Sequence, residues 1–245
     1  MGATITNVMN VSSLLAVVVP TFNETQNIAQ LIKAISQNIS LSDKIIIVDD
    51  NSPDGTGKIA DKIAKKKENL IVIHRQGKSG RGSAVWTGFK AAKKFNPQFY
   101  IEMDADFSHK PGDIPRLLSK VGKDSDVVIG SRYLKKSKIF NWSASRRVFS
   151  KFANFYANLA LGVGISDYTN GFRIYTKEAV NFLLSQKLIS PGYISLSETA
   201  YKLKKAGFKF DEIPIVFVNR KRGVSNLNFK EIKNAFLGIL KIRAS

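Results

Sequence analysis

Apolar residues along this chain follow two alternating rhythms. The short runs Leu14–Val19, Lys44–Val48, Leu70–His74 and Phe99–Met103 predict buried strands, because a strand covered on both faces reads as a continuous apolar run. Between them, apolar residues recur every three or four positions, at Ile28, Leu31, Ile32 and Ile35 and again at Ala84, Trp86, Phe89 and Ala92, which predicts helices. The first helix is expected to start at Asn23 or Glu24, and a lysine-rich helix at about 56–67. Pro20 is expected to close the first strand. Repeated strand and helix predict an α/β fold, a mostly parallel sheet flanked by helices.

The second half changes character. From Val127 to Ser166 there is no acidic residue but seven basic ones, and aromatics are interleaved at Tyr133, Phe140, Trp142, Phe149, Phe152, Phe155 and Tyr156. Three readings of the 132–156 stretch stand side by side: a helix lying in a membrane interface, an amphipathic core helix, and a nucleic-acid patch with stacking aromatics. A strand is expected near 213–218 and a last helix at about 228–243, with Phe229, Ile232, Phe236, Ile239 and Leu240 at helical spacing between lysines. The division expected is a flexible N-terminus at 1–13, one main domain over 14–226, and an amphipathic basic helix over 227–245. That helix belongs either to the domain or to a membrane interface.

Composition narrows the chemistry. Among 245 residues there is no cysteine, which excludes disulfides, zinc ribbons and thiol nucleophiles, and only two histidines, His74 and His109. A metal would therefore need oxygen ligands, which favours Mg²⁺ or Mn²⁺. The net charge of +19 points to an anionic partner or to a lysine-rich solvated surface. No stretch reaches the roughly 20 apolar residues of a membrane span, and Leu14–Val19 lacks the flanks of a signal peptide.

Two acidic clusters carry the candidate chemistry. Asp49-Asp50 ends the second strand and Asp104-Ala105-Asp106 ends the fourth. In a parallel sheet both open into the crevice beyond the strands' carboxyl ends. In extended backbone Asp104 and Asp106 face the same way, so together they can hold a hard divalent cation that bridges the phosphates of a nucleoside diphosphate. Asp49 and Asp50 suit a base or ribose, or else the turn Asn51-Ser52-Pro53-Asp54-Gly55, in which Asp50 would cap the next helix. Gly77–Ser83 is not a Walker loop, and serves either phosphate approach or plain connection. Arg132, Arg146, Arg173 and Arg220 are candidate phosphate ligands, since guanidinium grips phosphate through two bonds.

At this point a resemblance becomes visible. Val19-Pro20-Thr21-Phe22-Asn23-Glu24, Val48-Asp49-Asp50-Asn51-Ser52-Pro53-Asp54-Gly55-Thr56 and Met103-Asp104-Ala105-Asp106-Phe107-Ser108-His109 resemble the inverting family 2 glycosyltransferases of the GT-A fold. The Asp-Asp-Asn-Ser-Pro-Asp-Gly-Thr form is most similar to the dolichol-phosphate mannose synthase branch. The likeness continues through Gly130–Tyr133, Trp142 with Arg146–Ser150, Asp167–Arg173, Glu198, Ile213–Ile215 and Arg220 with Gly223 and Ser225, over roughly residues 14–240.

That resemblance implies a GT-A fold and transfer of mannose from GDP-mannose to a dolichyl or polyprenyl phosphate, with Mg²⁺ or Mn²⁺ as cofactor. Pro20, Asn23, Glu24, Asp49 and Asp50 would line the nucleotide site. Asp104 and Asp106 would govern the metal and the diphosphate, with Ser108 where some relatives place a metal-binding Gln. Arg132, Arg146 and Ser150 would hold the acceptor phosphate, Arg220 the donor phosphates, and Asp106, Arg132, Arg146 and Arg220 would carry the reaction. Asn226 replaces a lysine usual after Gly-x-Ser. The partners implied are the two substrates, a membrane surface and a membrane-anchoring subunit, without nucleic acid. The location implied is peripheral, on the cytoplasmic face of a plasma or endoplasmic-reticulum membrane. A glucosyltransferase using UDP-glucose is the alternative within this chemistry. A non-catalytic basic module for membrane or nucleic acid is the alternative outside it.

Overall fold

The computed structural model describes residues 14–187, 192, 194–219 and 229–244. The first half follows the rhythm of its apolar positions: β1 (Leu15–Thr21), α1 (Ile28–Ser36), β2 (Lys44–Asp49), α2 (Thr56–Ala64), β3 (Leu70–His74), α3 (Arg81–Ala92) and β4 (Phe99–Glu102). Then come α4 (Ile114–Leu118), β5 (Val127–Ser131), β6 (Lys138–Phe140), α5 (Ala144–Leu161), β7 (Arg173–Thr176), α6 (Lys177–Ser185) and α7 (Ser195–Lys205). The last elements are β8 (Phe210–Pro214), β9 (Val216–Val218) and α8 (Phe229–Ala244).

The main sheet has seven strands in the order β3-β2-β1-β4-β7-β5-β8, and β6 pairs with β9 in a small second sheet. β7 runs against both its neighbours, and the other pairings in the main sheet are parallel. The carboxyl ends of β1 to β4 therefore share one edge, as the strand–helix rhythm implies.

Alternate residues of each strand enter opposite layers. Val18, Ile46 and Val48 pack with Ala84, Val85 and Phe89 of α3 and with Val180 of α6. Val17, Val19, Ile45 and Ile47 meet Ile28, Leu31, Ile32 and Ile35 of α1 on the other face. Both faces are covered, so the strands carry no polar alternation. α3 lies so close to β1 that a Cβ at Gly88 would sit 2.2 Å from Val18 Cγ1.

Several expectations need correction. Pro20 does not end β1, which continues to Thr21. The even positions of β1 turn toward β4, since Met103 N donates to Val18 O (3.1 Å), and β4 stops at Glu102, so no partner asks for the N–H that Pro20 lacks. α1 starts at Ile28 because Asn23 adopts φ 60° and residues 23–25 are hydrogen-bonded to the 52–56 turn instead. The strand expected near 213–218 is two strands that break after Pro214, with β9 leaving for β6. The 132–156 stretch holds a turn, β6 and the start of α5, whose N-cap Ser143 accepts from Arg146 N. α8 packs against α5 and α7 and buries Ile239 and Ile242. Residues 1–13, Arg220, Gly223, Ser225 and Asn226 lie outside the described residues.

Candidate active site

The first acidic cluster divides its labour. Asp49 is buried and accepts hydrogen bonds from the backbone N (3.1 Å) and the hydroxyl of Ser52, so it closes the turn it begins. Asp54, not Asp50, caps α2, accepting from Thr56 N (3.0 Å) and Thr56 Oγ1 (2.6 Å). The same turn anchors the first motif, because Asn23 N donates to Ser52 Oγ (3.1 Å) and Glu24 N to Thr56 Oγ1 (2.8 Å). Pro20, Asn23, Glu24, Asp49 and Asp50 are thus brought together at the ends of β1 and β2.

Asp50 remains available for a ligand. It is buried, and Arg75 Nη1 lies 3.1 Å from its Oδ1 but without hydrogen-bond alignment, so both atoms lack a hydrogen-bond partner. Burial raises the Asp50 carboxyl above its ordinary value, and Arg75 with the Ser79 backbone only partly offsets this. A buried carboxylate short of donors at the mouth of a crevice suits a ligand that brings N–H or O–H groups.

The second cluster lies not in extended backbone but in a bend. β4 ends at Glu102, residues 105–109 turn, and Phe107 takes φ 58°. Asp106 is partly exposed, and its Oδ1 accepts from Ser108 N (2.9 Å), while the Ser108 side chain is buried. His109, fully buried, shares a 2.6 Å hydrogen bond between Nε2 and Asn170 Oδ1 and stacks on Phe172. Asn170 Nδ2 donates in turn to Gly130 O, so the imidazole fixes the acidic loop to the 167–173 loop.

Arg81 joins these parts. Its Nε donates to Asp104 Oδ1 (2.6 Å), Nη1 to Glu102 Oε2 (2.6 Å) and Nη2 to Gly171 O (2.9 Å). Burial raises the Asp104 carboxyl's pKa, but the charge and hydrogen bond of Arg81, together with the positive charge of Arg132 and its other neighbours, more than reverse this, so the group is held below the usual carboxylate range. Among the described residues no third acidic, His or Cys side chain joins Asp104 and Asp106. Two hard carboxylates, each with one oxygen engaged by a protein donor, would suit a hard divalent cation only if further oxygen ligands completed its shell.

The basic side of the crevice is built around Trp142. Arg132 is buried and bidentate to Asp167 (Nε–Oδ2 and Nη2–Oδ1, both 2.7 Å), and Nη2 also donates to Thr169 Oγ1 (2.6 Å). Its guanidinium carbon lies 5.3 Å from the Trp142 ring centroid, and that of Arg146 lies 4.4 Å from it. Arg146 Nη1 reaches Asn219 Oδ1 (3.2 Å), and Tyr133 OH donates to Ser150 Oγ (2.5 Å). Arg132, Arg146 and Ser150 therefore share one neighbourhood, while Arg173 leaves it: its three nitrogens bind the carbonyls of Asn170, Leu196 and Tyr168 inside the core.

The family model for glycosyl transferase family 2 matches residues 16–184. The chain belongs to that family. This glycosyltransferase is 36% identical over 224 residues to polyprenol monophosphomannose synthase of Mycolicibacterium smegmatis, covering 91% of this chain and 84% of the relative. It is 33% identical to undecaprenyl-phosphate mannosyltransferase of Micrococcus luteus, covering 91% of each. Among solved structures it resembles glucosyl-3-phosphoglycerate synthase from Mycobacterium tuberculosis in complex with Mn²⁺, UDP and glucosyl-3-phosphoglycerate. That likeness has a TM-score of 0.65 at 19% identity, over 95% of this chain and 80% of that one, and it establishes the GT-A fold.

Sequence reasoning missed Arg81, Glu102, Arg75 and Asn219 in this glycosyltransferase. Arg81 sits inside the glycine-rich segment, which was read for its backbone alone. No helix among the described residues is long and apolar enough to cross a membrane. Instead, α5 presents Val148, Phe152, Phe155 and Leu159, all exposed, at spacings of three and four residues that put them on one face. Exposed Arg147 and Lys151 flank them, and exposed Leu237 and Leu240 lie on the neighbouring α8.

Proposed function

We propose that this glycosyltransferase moves mannose from GDP-mannose to a dolichyl or polyprenyl phosphate, giving a β-linked polyprenyl-phosphate mannose. The observation that carries the reading is the Arg132–Trp142–Arg146–Ser150 cluster beside the exposed apolar face of α5. An amphiphilic acceptor needs both, cationic donors for its phosphate and an apolar surface for its chain. Both curated relatives carry polyprenyl-phosphate mannose transfer in their names, at 33–36% identity over 91% of this chain.

Within this reading Pro20, Asn23, Glu24 and Asp50 line the nucleotide site, and Asp49 holds its wall. Asp104 and Asp106 hold Mg²⁺ or Mn²⁺, which when bound supplies positive charge to the departing diphosphate. Arg220 is assigned to the donor phosphates from its motif alone. Arg146 and Ser150 receive the acceptor phosphate, and Arg132, fixed by Asp167, supports them with its charge. A phosphate is already anionic near neutral pH, so the step needs little from a general base, in keeping with the burial of His109 against Asn170 and Phe172. The acceptor oxygen bonds to the anomeric carbon as the bond to the diphosphate oxygen breaks, which inverts the α-linked donor. The α5 face rests on the cytoplasmic side of a membrane, drawn there by the lysines and arginines around it. A membrane-anchoring subunit is compatible with this arrangement.

The test is transfer of radiolabel from GDP-mannose to a polyprenyl phosphate with Mg²⁺ or Mn²⁺, beside UDP-glucose and an Asp106→Ala control. Organic-extractable label from GDP-mannose, lost in the variant, supports the assignment. Label from UDP-glucose alone overturns the donor and keeps the acceptor. Absence of lipid label from both donors overturns the acceptor.

A further inference from the structure

Arg81 binds in the place where a cation is expected. Its guanidinium is buried, its three nitrogens reach Asp104, Glu102 and the Gly171 carbonyl, and an arginine side chain stays protonated at any working pH. Glu102 is committed as well, since its other oxygen accepts from Tyr175 OH (2.6 Å). The fold makes room for this arrangement. A Cβ at Gly171 would lie 2.0 Å from Arg81 Nη2, so only glycine lets the guanidinium rest on that backbone. The arginine is the first residue of α3, directly after Gly80 at φ 93°, which points its short lever from the glycine-rich segment to the end of β4.

We propose that Arg81 is a resident counter-cation that positions Asp104 and keeps the Asp104/Asp106 pair a weak metal site until a nucleoside diphosphate arrives. This deepens the function proposed above and rests on its assignment of the metal to Asp104 and Asp106. Without donor, a divalent ion meets two carboxylates and a fixed positive charge on one of them. With donor, the diphosphate contributes negative charge and oxygen ligands, and the opposition of Arg81 is outweighed. Metal and donor therefore bind as a coupled pair, and the enzyme does not hold a resident metal between turnovers. Arg81 acts here through Asp104 and is a positioning residue.

The experiment is Mn²⁺ binding to the donor-free full chain, read from the loss of free-ion electron paramagnetic resonance signal, for wild type, Arg81→Met, Arg81→Lys, Gly171→Ala and Asp106→Ala. Circular dichroism and melting confirm the fold of each variant. Arg81→Met is expected to bind Mn²⁺ about tenfold tighter than wild type, the scale of removing one unit charge held on the same carboxylate as a divalent ion. Gly171→Ala should shift affinity in the same direction by displacing the guanidinium, and Arg81→Lys should stay near wild type. Adding GDP should shrink the difference between wild type and Arg81→Met. A purely structural role predicts the opposite sign, since a loosened Asp104 binds metal less well. Unchanged or weaker Mn²⁺ binding in folded Arg81→Met overturns the proposal. If Arg81→Met does not fold, Gly171→Ala decides by the same criterion. If Asp106→Ala binds Mn²⁺ as wild type does, the metal assignment itself fails, and the Arg81 proposal fails with it. If Asp106→Ala loses the ion while Arg81→Met gains nothing, Arg81 alone has been misread.

Discussion

The α5 face makes a quantitative demand. Val148, Phe152, Phe155 and Leu159 are 69%, 54%, 65% and 76% exposed. Fully burying such a side chain stabilises by about 1.5–3 kcal/mol, so covering all four is worth at most about 4–8 kcal/mol. Phe155 alone accounts for about 1–2 kcal/mol of this, a five- to thirtyfold change in a partition constant. Phe155→Ser should therefore weaken binding to sedimented anionic vesicles by that factor. Its folding stability should change by less than about 0.5 kcal/mol, because the ring contributes little to the core. Arg147→Ala should cost a further factor of about five that fades at high salt, as about 1 kcal/mol per basic residue near an anionic surface requires. Vesicle affinity of Phe155→Ser within twofold of wild type, with the protein folded, would refute the membrane assignment. So would a micromolar dimer in sedimentation analysis that the same substitution disperses.

Four further outcomes follow from the charged side chains of the crevice. Asp167→Ala leaves the Arg132 guanidinium buried without its carboxylate and should cost about 3–5 kcal/mol in urea unfolding, with Arg132→Met recovering part of the loss in the double variant. Burial raises the Asp167 carboxyl's pKa, but Arg132 outweighs it and holds the group below 3.8. Its stabilisation is thus complete above 3.8 and lost as pH falls through the lower folded value, so an acid titration of stability should be shallower in Asp167→Asn than in wild type. Asp50 has the opposite sign: its folded value is raised, so its contribution is lost as pH rises, and Asp50→Asn should stabilise the ligand-free enzyme at pH 7 by about 0.5–2 kcal/mol while abolishing detectable donor binding in calorimetry. Arg146→Ala should raise the acceptor KM roughly ten- to hundredfold, the weight of a charged hydrogen bond, and leave the KM for GDP-mannose near wild type.

The parts of this fold that were legible in the sequence are those governed by local periodicity. β1 to β4 and α1 to α3 announce themselves because each buries an apolar face whose spacing is set by its own backbone. The antiparallel β7 was not announced, because its Arg173 and Thr176 are polar and owe their places to Asn170, Leu196 and Asp126 carbonyls far along the chain or in neighbouring loops. Asp50, Asp104 and Asp106 were legible as carboxylates after strands. Their partners were not, since Arg75 and Arg81 both come from the stretch between β3 and the start of α3 and an ion pair leaves no mark on periodicity. Asp54 rather than Asp50 serves the start of α2 for a similar reason: the Gly55 turn brings the carboxylate two residues before the helix back onto its first N–H, which the order of letters alone leaves open.

Charge is distributed in this enzyme against the simplest expectation from a net +19. Three arginines of the crevice, Arg75, Arg81 and Arg132, are each matched by an acidic partner within 3.1 Å. Exposed lysines lie outside it, such as Lys135, Lys136 and Lys138 in the basic stretch that precedes α5 and Lys151 on α5 itself. A binding module for a polyanion would need that excess in its groove. Under the proposed function the paired arginines and the basic, apolar exterior would serve different steps: turnover in the crevice and delivery of the lipid acceptor at its rim.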